Sequence, residues 1–583
     1  MLINLIACGP RPTFTPPPIS TLPRSPAPPL TLSPTPSVAP SVAKRSVDLT
    51  ICLADEPQSL YLYARPEAGR AHILSALYDG PIDNVNFGYQ PVLLEKLPSV
   101  NDGDAMALTV TLNVGDTVVD EIGRVVALAE GVTVNLLDGE QITYSGAGPI
   151  TVPQMMVMFK LKPGVLWSDG TPLTAHDSVF SYAVSLSPDS FDPRRSLAGR
   201  TVSYRALDEV TVEWVGRPGY IDPLYFTNFW TPLPRHRYTG LTPSQIADSD
   251  EARHNPLGWG PFVLKEWARG DHLTFERNPF YFRAGEGLSW ADTVTYRIVA
   301  DPTQIVADLR SGQCALAPHS AALESVQESL AQLQFVQTIS STSLTYMYFG
   351  IAPAADYTRT VGNDFFADAD ARARQAIAHC IQWLSPTAPD PAQGRALLSE
   401  LGWTDSDGDG ILDKDGTPLR LTLAEANNQL PITSYQSQLQ LNCGIDVELL
   451  PLTLGELIGD WPDGVVFGRR FDLALLSWDV AESMSCELWL TAQIPDDSNP
   501  GGANAAGYSN PDYDVACRRA LTTLDPTQAA QSYAEAQRLL AQDLPALPLF
   551  YQVKVAAALP GVQGFALDPT SDSELWAIEA IRP

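Results

Sequence analysis

The chain has 583 residues, with 37 Lys plus Arg against 67 Asp plus Glu and a formal charge of −30. So acidic a surface repels phosphate backbones and argues against a nucleic-acid partner, and the length predicts two or three domains. Hydrophobic residues at 45% and charged residues at 18% fit a folded chain with real cores, and no apolar run approaches the roughly 18 residues of a membrane span.

The amino terminus is apolar and ends Leu5-Ile6-Ala7-Cys8-Gly9, which looks like a bacterial lipobox. Residues 1–8 are therefore read as the remnant of a lipoprotein signal, with Cys8 as the lipidation site, although only seven residues precede it and a signal peptide needs a basic region and a longer apolar one. From 10 to 40, 12 of 31 residues are proline. Proline removes backbone donors and fixes φ, so 9–45 is expected to be an extended tether, reaching on the order of 90 Å at roughly 3 Å per residue. Beyond Cys8 the cysteines are Cys52, Cys314, Cys380, Cys443, Cys486 and Cys517. An even number outside the cell permits disulfides, and all 15 full pairings stay open.

The body begins with an apolar strand, Asp48 to Leu53, followed by a helical face at Ile73, Leu74, Leu77 and Tyr78. Between 100 and 150, Leu108, Val110, Leu112 and Val114 alternate with polar residues and lead into Val-rich hairpins. Phe159 and Leu161 alternate with lysines, and Pro163-Gly164 and Asp169-Gly170 are turn signals. Thr174 with Asp177 forms a capping box for a helix whose inner face would be Val179, Phe180, Ala183 and Val184. Residues 255–267 and 271–281 read as two strands joined by Ala268-Arg269-Gly270. A helix is expected from Asp368 to Leu384. A second begins at Asp390-Pro391, carries Leu397, Leu398 and Leu401, and stops at Gly402. The whole is an α/β mixture without repeats.

The segment Trp167-Ser-Asp-Gly-Thr-Pro-Leu-Thr-Ala-His-Asp177, the stretch Asn255 to Tyr281, the helix Ala371 to His379, Tyr508 to Asp514 and Leu547 to Tyr551 occur in an order that resembles the large solute-binding proteins of peptide-type ABC importers, the oligopeptide-, dipeptide- and nickel-binding family (family 5). The likeness spans roughly 47 to 575. It implies a two-lobed, periplasmic-binding-protein-like α/β fold (type II, large peptide-binding class) with a discontinuous first lobe, a β-rich extra subdomain and solute clamped between the lobes. The expected organisation is lobe I at 46–300, including the β-rich subdomain at about 82–217, lobe II at 301–543, and a return to lobe I at 544–583. The implied partners are a small solute (a peptide, a saccharide or a metal chelate), an ABC permease with its ATPase, and the outer face of the cell membrane through the anchor. A transport-inactive sensory or scaffold protein on the same fold is the alternative.

In the family's peptide binders an acidic residue three positions after a ligand-facing Trp holds the peptide ammonium. Here Trp478 is followed by Asp479, and the third residue is Ala481, so Asp479 or Glu482 would have to substitute. The cleft candidates are therefore Trp478, Asp479, Glu482, Tyr346 and Tyr78, flat aromatic surfaces with a few polar groups. Asp405-Ser-Asp407-Gly-Asp409-Gly-Ile-Leu-Asp413 places carboxylates at calcium-loop positions 1, 3, 5 and 9 with glycine at 6. These four aspartates are the candidate ligands of a structural Ca²⁺, although Gly416 stands where the bidentate Glu belongs. No cofactor is required, and no HExxH, GxSxG or phosphate-loop motif points to an enzyme.

Overall fold

The computed structural model describes residues 46–188, 190, 192, 194–332, 336–367, 370–385, 387–426, 432–479 and 486–583. Cys8, the 9–45 tether, Ala481 and Glu482 lie outside them.

A ten-stranded mixed sheet runs through the body. Its first edge is the hairpin Phe262–Ala268 and His272–Arg277, joined as expected over Ala268 to Asp271. Thr293–Ile298, Asp48–Leu53 and the short Leu316–Ala317 follow. Two long antiparallel strands come next, Ala546–Ala558 and Val336–Phe349. Leu473–Asp479, Arg420–Ala426 and Asp446–Leu452 complete the sheet.

Two large hydrophobic cores lie along this sheet. The first gathers residues from Leu49 to Leu316 and again from Ala556 to Ile581, and the second runs from Leu344 to Leu549. A satellite core joins Cys52, Ile305, Leu309, Leu323 and Leu330 to Val555 and Ala557. The segment 301–331, placed in lobe II from the sequence, therefore packs with the first half. The helix Pro302–Ser311 buries Ile305 and Leu309 beside the Asp48–Leu53 strand, and the disulfide Cys52–Cys314 ties them together. The change of halves falls inside the two long strands. Their pairing runs from Val336↔Ala557 to Ser340↔Val553, breaks its register, and resumes at Leu344↔Tyr551.

The β-rich insertion is a four-stranded antiparallel sheet, in the order Thr201–Ala206, Thr211–Gly216, Ile150–Lys160 and Ala105–Leu112. Two small hairpins follow Ala105–Leu112 and close a core of their own over Leu112, Val118, Val134, Tyr144 and Val152. Val110 and Leu112 face that core, whereas Leu108 is exposed.

Helix ends were the most legible features. The capping box of Thr174 and Asp177, the Asp390 cap with Pro391, and the left-handed Gly402 are all present. Two helices depart from expectation. Ala175–Ser185 buries Ser178, Ser181 and Ser185 with Val184, while Val179 and Phe180 are only half-buried against the cores and Ala183 is exposed, because its inner face meets bulky rings. The Ser178 hydroxyl lies 2.7 Å from the Tyr204 hydroxyl and donates to the carbonyl of Trp230, and only small residues leave room for them. The other helix is Arg372–Cys380 rather than 368–384. Ile381 is extended there, and Leu384 is exposed.

All six body cysteines are paired, as Cys52–Cys314, Cys380–Cys443 and Cys486–Cys517.

Candidate functional site

The sequence motifs meet at one corner. The helix Arg70–Leu77 ends against Gly258 and Gly260, where an added Cβ would come within 2.0 Å of the Leu77 carbonyl oxygen and 2.5 Å of the Tyr78 nitrogen respectively. Only glycine permits that approach. Between them Trp259 is fully buried, its ring 4.9 Å from Tyr78 and 5.3 Å from Trp167. The backbone of Ser168 donates to the carbonyl of Gly258 at 2.8 Å. The two stretches around Trp167 and Trp259 are thus scaffold. They hold Tyr78 and Asp79 in place and do not themselves line the opening.

In front of Tyr78 lies a cavity of about 620 Å³. Leu62, Leu74, Tyr78, Ile82 and Trp576 supply apolar wall, and Asp83, Asn84, Ser571, Asp572 and Ser573 supply polar wall. Asp479 reaches it from the second half. The hairpin Ile82–Val85 with Gly88–Pro91 carries Asp83 and Asn84, and the loop 568–573 carries Asp572. The two are stitched together: the backbone of Asn86 donates to Asp568 at 2.8 Å, and the Thr570 hydroxyl donates to the carbonyl of Asn84 at 3.1 Å. Asp568 also caps its own loop through the backbone nitrogens of Thr570 and Ser571.

Burial dominates the electrostatics here. It raises the Asp83 carboxyl to about 7, with Asp79 adding to the effect and Arg283 opposing it. It raises Asp572 as well; Lys554 opposes and Asp479 adds. Asp572 nonetheless stays exposed to solvent. Behind the wall, Asp79 accepts from the Tyr281 hydroxyl at 2.6 Å, and Arg283 bridges Asp79 and Glu579 at 3.3 and 3.0 Å. Lys554 is engaged with the carbonyls of Ser571 and Asp568 and with Glu574.

Of the residues singled out from sequence, the structure brings Tyr78 and Asp479 to this cavity. Tyr346 is not there: it is buried in the second core, edge-on to Tyr348 and Trp489. Trp478 is half-buried at that core's margin, and its indole nitrogen donates to the Tyr348 hydroxyl at 2.7 Å. Both sit on strand segments packed on both faces, where neighbours of either parity join the same core, and the Leu473–Asp479 strand becomes exposed only at its end, Asp479. Asp83, Asp572 and Trp576 were missed. No spacing marks them, because a loop and a hairpin about 480 residues apart assemble them.

The carboxylates of Asp405, Asp407 and Asp409 lie within 4.8 Å of one another and are exposed. Asp413 does not join them. It accepts from the backbone and hydroxyl of Ser406 at 2.9 and 2.7 Å and opens a small hairpin, with no helix following. Asp405 itself accepts from the backbone nitrogens of Gly408 and Gly410. The carboxylates therefore shape the turn whether or not a cation is held.

Residues 154–383 match the family described as "Bacterial extracellular solute-binding proteins, family 5 Middle". The oligopeptide-binding protein AppA of Bacillus subtilis is 27% identical over 72% of this chain and 79% of its own. The periplasmic oligopeptide-binding protein OppA of Salmonella typhimurium is 24% identical over 70% and 78%. Among solved structures, Bacillus subtilis AppA with a nonapeptide superposes with TM-score 0.56 at 22% identity, covering 92% of this chain and 99% of that one. NikZ from Campylobacter jejuni with Ni(L-His) gives 0.58 at 16% identity over 92% and 99%. These structures share the fold: a mixed α/β body built on a large sheet.

Proposed function

We propose that this chain, a family 5 extracellular solute-binding protein by the matches just described, is the capture component of an ABC importer: it encloses a peptide-like guest and hands it to a permease and its ATPase. The observation that carries the reading is the cavity of about 620 Å³, walled by the first half and met by Asp479 from the second. A site at such a junction changes shape when the halves rotate, which is how a binding protein signals occupancy. The paired strands with their break between Ser340 and Leu344 supply a pivot. The relatives' own ligands, an oligopeptide and a nickel–histidine chelate, make peptide the first solute to test and a metal chelate the second.

Six paired cysteines support an oxidising location outside the cytoplasm, and no helix among the described residues is long and apolar enough to cross a membrane. The proposal places the body on the outer face of the cell membrane, held by an acyl group on Cys8 through the 9–45 tether. It also includes a structural calcium at Asp405, Asp407 and Asp409, supported by their mutual distance and read out as a rise in Tm with calcium over EDTA that Asp407→Asn abolishes.

The test of capture is the mass spectrum of guests released from protein purified under native conditions, with the thermal shift on adding the recovered compounds. A peptide ladder and a raised Tm are expected. A protein that releases no guest and whose Tm no oligopeptide pool or metal chelate shifts is not a capture protein.

A further inference from the structure

We infer that the guest carries more than one positive charge, and that Asp83 and Asp572 of the first half, faced by Asp479 of the second, select it. The inference rests on the capture reading above: the cavity makes the site, and its lining fixes the chemistry of what enters. Three carboxylates line the cavity, and no Lys, Arg or His does among the described residues. The nearest cations stand behind the wall and are engaged elsewhere, Arg283 with Asp79 and Glu579 and Lys554 with Glu574 and two carbonyls. Tyr78, Tyr89 and Trp576 also line the space, and aromatic faces beside carboxylates are what an ammonium or guanidinium on an apolar stem meets favourably. A single peptide ammonium would satisfy one carboxylate. Asp83 on its hairpin and Asp572 on its loop offer places for a second charge, either a basic side chain or the other end of a polyamine.

Crowding these acids around the cavity carries a cost. Burial and Asp79 raise Asp83, against Arg283, while burial and Asp479 raise Asp572, against Lys554. Glu579 stands beside Asp79 and Asp83 in the same group. A cation favours the ionised carboxylate, so binding near pH 7 expels protons, and affinity rises with pH through that range.

The experiment is calorimetric titration of the full-length protein with four probes: the free tetrapeptides Ala-Lys-Ala-Ala, Ala-Leu-Ala-Ala and Ala-Glu-Ala-Ala, and spermidine. The lysine peptide is expected to bind about tenfold or more tighter than the leucine peptide, the worth of one charged hydrogen bond, with the glutamate peptide weakest. Its heat should differ between phosphate and Tris in the sense of proton release. Asp83→Asn and Asp572→Asn, each confirmed folded by its melting curve, should remove most of the lysine preference, read as the ratio of lysine- to leucine-peptide affinity within each variant. Binding of spermidine alone would uphold the inference and turn the guest from peptide to polyamine. Equal affinity for the three peptides, or a lysine preference that survives both substitutions, overturns the charge selection and leaves capture standing. No binding by any of the four overturns it together with the peptide reading of capture.

Discussion

The indole Nε1 of Trp259 donates to the backbone carbonyl of Asp79 at 2.9 Å, joining positions 180 residues apart. That bond fixes the corner from which Tyr78 faces the cavity, and the glycines on either side of Trp259 let the two backbones meet. Gly260→Ala would push a methyl group to 2.5 Å from the Leu77 and Tyr78 backbone. A loss of about 3 kcal/mol is expected in urea unfolding, together with weaker guest binding. Trp259→Phe should cost about 1 kcal/mol for the lost hydrogen bond alone. A Gly260→Ala protein as stable as the parent would show that the close approach is not required.

Glu579 is buried 3.0 Å from Arg283, yet burial and Asp79 outweigh that ion pair and raise its carboxyl from 4.5 to about 7. A carboxyl raised on folding binds its proton more tightly in the native state. Its contribution to stability is therefore greatest below pH 4.5 and is lost as pH rises through 7. Glu579 alone accounts for on the order of 2–3 kcal/mol across that window, and Asp83 acts in the same direction. Tm measured from pH 5 to pH 8 should fall, and Glu579→Gln should flatten the slope. A slope unchanged in that variant would place the titrating group elsewhere.

Cys380 and Cys443 close a 63-residue separation inside the second core, and Gly394 packs against both sulfurs, where a Cβ would lie 2.9 Å from each. Replacing both cysteines with alanine is expected to destabilise the second half by about 4 kcal/mol. Limited proteolysis should then cut between 344 and 549 before it cuts the first half. If the two halves are cut at parental rates, the bridge does not stabilise that half.

Arg359 is fully buried. It donates to Asp472 at 2.9 Å and to the carbonyls of Asn363 and Gly350, and stacks 5.1 Å from Phe366. Asp472 also accepts from the Tyr357 hydroxyl and from the backbone and hydroxyl of Thr422. Arg359→Met leaves a buried carboxylate without its cation, and a loss of about 3–5 kcal/mol is expected in denaturant unfolding. The Arg359→Met, Asp472→Leu double variant should recover part of that loss. Failure to recover any of it would mean that the pair's other hydrogen bonds, rather than its charges, carry the energy.

Local signals were legible where a single turn of backbone decides the outcome. Thr174 with Asp177, Asp390 with Pro391, and Gly402 mark helix ends by chemistry that depends on neighbours in sequence. Tyr78 and Asp479 could be proposed because each stands beside a recognisable stretch. Three things were not legible, each for a reason of distance. The serine face of Ala175–Ser185 answers to Tyr204 and Trp230, which arrive from other elements. The segment 301–331 goes to the first half because Cys314 bonds to Cys52. Asp572 enters the site because Asp568 and Thr570 are bonded to a hairpin near residue 85. Tyr346 and Trp478 show a different limit. A residue type suited to a cleft also suits a core, and these two strand segments are packed on both faces, so alternation alone does not separate the two roles.

The two long strands that join the halves are hydrogen-bonded to each other on both sides of the break at 341–343. Sliding one along the other would break every pairing at once, whereas twisting about their common axis strains only the few residues without a partner there. Any relative movement of the halves would therefore be steered into torsion with a nearly fixed axis. A glycine or a proline introduced at Thr342 would alter how easily such torsion occurs, without touching any residue that lines the cavity.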